Sequence, residues 1–74
     1  MNVQIELFTK AGHYLASAPD EGVTEGQLAT WERGMADTLA DQEHGTFTVR
    51  SEMGVHIVPS REVVLVQLKV LKEG

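Results

Sequence analysis

Asp37, Asp41 and His44 stand at i, i+4 and i+7, and a helix of 3.6 residues per turn brings such a set onto one face. Two carboxylates and an imidazole are ligands that a divalent cation accepts. The spacing matches no specific metal motif and needs further ligands from elsewhere, so it reads more simply as a solvated helix face, and no metal is assigned. His13 and Ser17 lie four residues apart in a strand-like segment, where a rise of about 3.3 Å per residue separates them by roughly 13 Å. That is too far for a dyad. Ser51, Ser60 and His56 can meet only through the fold, and none of the serines sits in a nucleophile-elbow sequence. No G-x-G-x-x-G or G-x-x-x-x-G-K-[ST] occurs, so no phosphate cradle is written locally. Trp31 has a face for stacking a ligand, but its place on a helical ridge assigns it to the core. No catalytic residue and no cofactor are expected, and the chain reads as a non-enzyme.

The elements that position these groups follow from local pattern. Val3, Ile5 and Leu7 alternate with polar residues at the period of a half-buried strand. Thr9 to Gly12 supplies a hairpin loop into His13 to Ser17, and Pro19 to Gly22 ends that hairpin. Val23-Thr24-Glu25-Gly26-Gln27-Leu28 then combines an N-cap, a capping box and a hydrophobic staple. The spacing predicts a helix from about Glu25 to Glu43 with Gly45 as its C′ residue, and Trp31, Met35 and Leu39 forming the ridge toward the core. Ala29, Ala36 and Ala40 form a small-residue strip on the same helix, which alanine's helix propensity explains. Phe47 and Val49 alternate with Thr46, Thr48 and Arg50, and a turn at Ser51 to Gly54 leads into Val55 to Val58. After the corner at Pro59 to Glu62, Val63 to Leu71 reads as the longest strand.

The order is β-β-α-β-β-β, and the short hairpin loops favour antiparallel neighbours. The expected fold class is α+β: one antiparallel five-stranded sheet packed on one helix, or the same sheet curled into a half-barrel. Residues 1–74 read as one domain, with 72–74 a frayed tail.

A chain of 74 residues buries only roughly 60 to 65% of the surface its unfolded form exposes. It has no cysteine, so neither a disulfide nor a thiolate metal site reinforces that thin core. A net charge of −5 and a pI near 5.0 argue against a phosphate-backbone partner, and the six basic residues, Lys10, Arg33, Arg50, Arg61, Lys69 and Lys72, are scattered. No charged n-region, apolar leader or membrane span is legible, and a cytoplasmic protein without nucleic-acid or membrane partners is expected. The short, acidic, cysteine-free chain has the general look of small bacterial or bacteriophage proteins, a likeness of manner that gives no residue a role.

If Val64, Val66, Leu68 and Val70 face the helix, Val63, Leu65 and Leu71 point outward, with Phe8, Leu15 and Val58 beside them. These six residues form the candidate interface, since contiguous exposed apolar surface marks association. The expected function is a non-enzymatic protein-interaction module, homodimeric through that face. The alternative is an acidic inhibitor that sets Glu21, Glu25, Asp37, Asp41 and Glu43 against another protein's cationic surface.

Overall fold

The computed structural model describes residues 1–72. Of the expected tail, Lys72 is exposed, and Glu73 and Gly74 lie outside the described residues. The elements are β1 (Asn2–Thr9), β2 (Tyr14–Ala16), α1 (Glu25–Ala40), β3 (Thr46–Ser51), β4 (Gly54–Pro59), a 3-10 turn (Ser60–Glu62) and β5 (Val63–Leu71). The fold is α+β with one helix, and its strand order along the chain is the expected one.

The five strands form two sheets rather than one, antiparallel throughout: β2-β1-β5 and β3-β4. The break has a local cause. β2 ends at Ala16; Ser17 still donates to the Ile5 carbonyl at 2.8 Å, and the next residue, Ala18, donates to Arg50 of β3 at 3.0 Å. Pro19 follows and has no N–H to continue a ladder. Asp20 then returns to Val3 through an isolated bridge, which carries the chain away from β3. The half-barrel is absent too, because β5 has no second strand partner among the described residues.

Helix α1 starts as its sequence dictates. The Thr24 hydroxyl accepts from the Gln27 amide at 3.1 Å, and the Gln27 side chain accepts from the Thr24 amide at 3.0 Å. It ends earlier than expected, at Ala40, where the Asp41 N–H bonds to both Asp37 and Thr38 carbonyls. Gly45 is not a left-handed cap; among the described residues the positive-φ positions are Gly12, Gly22 and Gly54. Gly45 is instead a point of close approach, where a Cβ would overlap the Ser60 hydroxyl and the Thr38 and Asp41 carbonyls.

The core is Leu7, Phe47, Val49 and Val63, with Leu15, Met35, Leu39, Val58 and Val66 packed against it. The helix lies over this core without sinking into it. Leu28, Trp31, Met35 and Leu39 are half-buried, and no residue of α1 is fully buried. The ridge expected to face the core as a unit is divided: Trp31 shares a groove with Ile5 and Phe47, whereas Leu28, Met35 and Leu39 line the one beside Val66 and Leu68.

Candidate functional site

Register decides which apolar side chains remain outside. Phe8 pairs with Leu65 and Thr9 with Val63, so Val64 is the extra residue of a β-bulge. A one-residue insertion flips the side-chain phase of everything beyond it. Val63 therefore joins the core at 5% exposure, and Val64, expected to face the helix, stands 62% exposed. This corrects the outward placement of Val63. Leu15 and Val58 also pack against the core. Phe8, Leu65 and Leu71 remain on the outer face by register, opposite Tyr14, Phe8 and Asn2 respectively. The six expected interface residues are thus divided between two faces.

The outer face carries a cross-strand row, Tyr14–Phe8–Leu65. The Phe8 and Tyr14 rings lie 5.0 Å apart at 41°. The Tyr14 hydroxyl donates to the Glu6 carboxylate, and Glu6 is buried. That hydrogen bond, then burial and the negative charge of Glu6, raise the Tyr14 pKa above its ordinary value of 10.0.

A second apolar surface lies on the β3–β4 hairpin. Thr48 pairs with Ile57 and Arg50 with Val55, which puts Ile57 and Val55 on the face opposite Phe47 and Val49. Ile57 is 68% exposed, and Met53 at the turn 90%. Neither was among the expected interface residues. The signal was in the chain: a two-residue loop between Ser51 and Gly54 fixes the register, and Val55 and Ile57 must then share a face with the polar Thr48 and Arg50. His56 pairs with Val49 and so lies on the core-side face of the hairpin, where it is nevertheless exposed.

The third feature is the free edge of β5 beside α1. A groove of about 460 Å³ runs between them, lined by Leu28, Glu32, Met35, Ala36, Leu39, Val66, Gln67 and Leu68.

The polar candidates are committed to the fold. Ser17 Oγ accepts from the Ile5 amide at 2.9 Å, Ser60 Oγ donates to the Thr38 carbonyl at 2.7 Å, and Ser51 Oγ accepts from the Met53 amide at 3.2 Å. Asp41 Oδ1 accepts from the His44 amide at 3.0 Å, closing the turn after α1. The imidazole lies 3.9 Å from that carboxylate and 3.7 Å from Glu43. Asp37, Asp41 and His44 do not converge into a cation-sized cluster, and no other such cluster occurs among the described residues. No helix among them is long and apolar enough to cross a membrane. No family model, curated protein or solved structure matches the chain.

Proposed function

We propose that the chain is a non-enzymatic protein-interaction module, homodimeric through one apolar surface and presenting another to a protein partner. One observation carries this reading. Among the described residues, seven large apolar side chains are exposed, Tyr14, Met53, Val55, Ile57, Val64, Leu65 and Val70, against six that are buried, Val3, Leu7, Val23, Phe47, Val49 and Val63. A fold that buries so little of its apolar inventory leaves the remainder for other molecules to cover. The exposed set is also grouped, on the β3–β4 hairpin and on β5 with its neighbours, rather than scattered singly as on an ordinary surface.

The partner surface in this reading is the hairpin face of Met53, Val55 and Ile57, flanked by Thr48 and Arg50. The test is quantitative capture of proteins from the native host, comparing wild type with the double variant Val55→Glu/Ile57→Glu, at about 0.1 M and 1 M salt, where the Debye length falls from about 10 to 3 Å. A specific partner retained at high salt and lost with the double variant is the expected result. Undiminished capture by the variant overturns the hairpin assignment. Binding that disappears at high salt regardless of the variant points instead to the acidic surface of Glu21, Glu25, Asp37, Asp41 and Glu43 as an inhibitor of a cationic protein.

A further inference from the structure

We infer that the second copy docks on the free edge of β5, antiparallel to its counterpart and with the two-fold axis at Leu68, so that two three-stranded sheets become one of six. This rests on the homodimeric half of the reading above and names the surface and register involved.

The β5 edge is available for pairing. Val3, Ser17 and Thr9 donate to Asp20, Ile5 and His13, whereas Lys10 donates to Glu62 at 2.8 Å. Odd residues of β1 thus turn their backbone groups toward β2 and even ones toward β5. By the alternation of an antiparallel ladder, Leu65, Gln67, Lys69 and Leu71 bond to β1, and Val66, Leu68 and Val70 present N–H and C=O groups at the open edge. A nine-residue edge strand without a proline, apolar at every position but Gln67 and Lys69, is a template for another strand.

The sequence of β5 selects the occupant. Leu65-Val66-Gln67-Leu68-Lys69-Val70-Leu71 is close to a palindrome about Leu68. Antiparallel pairing centred there sets Leu68 on its own copy and Val66 on Val70 along the helix-side face. On the other face it sets Leu65 on Leu71 and Gln67 on Lys69. Apolar meets apolar, polar meets polar, and each Lys69 avoids its twin. Centres at residues 66, 67, 69 or 70 each put Gln67 or Lys69 against an apolar side chain, or Lys69 against Lys69, which costs desolvation or like-charge repulsion. An axis perpendicular to the sheet also keeps both α1 helices on the same face. It brings the two grooves lined by Leu28, Met35 and Leu39 together beside the seam, adding apolar area to the backbone pairing.

A charge swap across the axis tests the register. Leu65 and Leu71 are six positions apart on one strand, roughly 20 Å, so substituted side chains there cannot meet within a monomer. Sedimentation equilibrium from low to high micromolar concentration should show a wild-type dimer. Leu65→Glu should weaken it roughly tenfold or more, counting the altered pair twice by symmetry. Leu65→Glu/Leu71→Lys should restore most of that loss, with circular dichroism confirming the fold of each variant. Oxidation of Leu68→Cys should give a disulfide-linked dimer, because a residue on the axis lies about 5.5 Å from its copy, within disulfide range. Leu65→Cys, roughly 20 Å from its copy in this register, should not. A dimer that the swap fails to rescue and that Leu68→Cys does not cross-link overturns the β5 edge while leaving the interaction reading intact. A wild type that stays monomeric throughout overturns both the edge and homodimerisation, and capture through the hairpin is judged separately.

Discussion

Ser60 is fully buried, and the hydrogen bonds donated by its hydroxyl and its amide fasten the corner between β4 and β5 to the end of the helix. The hydroxyl donates to Thr38 in the last helical turn, and the amide donates to Gly45 at 2.8 Å. Ser60→Ala removes the first bond at a site where solvent cannot replace it, and is expected to lower unfolding free energy by about 1 to 3 kcal/mol. Gly45→Ala should cost more, because the added methyl group meets backbone carbonyls as well as the hydroxyl. Urea denaturation midpoints check both, and an unchanged midpoint for Gly45→Ala would show that the corner yields freely. Tyr14 makes a prediction about pH. Its hydrogen bond to Glu6 favours the protonated phenol in the folded state, so the folded pKa lies above 10.0 and unfolding releases a proton at alkaline pH. The corresponding stability is fully present below pH 10 and is lost as pH rises through the folded pKa. Wild type should therefore lose stability above pH 10 more steeply than Tyr14→Phe, as read from denaturation curves at successive pH values. Parallel alkaline limbs would show that the Tyr14–Glu6 bond contributes nothing to linkage.

Helix α1 begins where four consecutive residues say it must, since both halves of the Thr24–Gln27 capping box are contained in one turn. Thr24→Ala removes the acceptor for the Gln27 amide and should cost about 1 kcal/mol in the same denaturation assay; no change would mean that water replaces the hydroxyl without loss. Features closed within a few residues were legible in the sequence: this cap, the two-residue turn at Glu52 and Met53, and the alternation that makes β1 a strand. Features that depend on distant pairing were not. The end of the helix at Ala40 is tied to Gly45 and Ser60, a contact the local pattern of Glu43 and His44 does not encode. The separation of the sheets depends on how Ser17 and Ala18 meet β1 and β3 just before Pro19. Strict alternation along Val63 to Leu71 put Val63 outside, and the bulge at Val64, visible only against Phe8 and Thr9 of the partner strand, put it inside. Leu65, beyond the bulge, stayed where alternation placed it.

At the scale of the molecule, the chain is a plate of 37 × 26 × 17 Å with 5123 Å² of accessible surface. A typical monomer of 8.1 kDa exposes roughly 4,500 Å², so about 600 Å² more than usual faces solvent. A standard interface removes about 800 Å² from each partner, comparable to that excess. Joining β5 edges would cover part of it, and the backbone itself can report the event. In the monomer the amides of Leu65, Gln67, Lys69 and Leu71 are held by β1, whereas those of Val66, Leu68 and Val70 face the open edge. Hydrogen exchange along β5 should consequently alternate in dilute solution, slow at the odd positions and fast at the even ones. Raising the protein concentration should slow Val66, Leu68 and Val70 selectively, because pairing supplies acceptors to those amides alone. A face-to-face dimer through the Tyr14–Phe8–Leu65 row would instead cover side chains and leave the even amides fast at every concentration. Residue-resolved exchange at low and high micromolar protein separates these arrangements, and even amides that stay fast where the protein is dimeric would exclude the β5 edge as its seam.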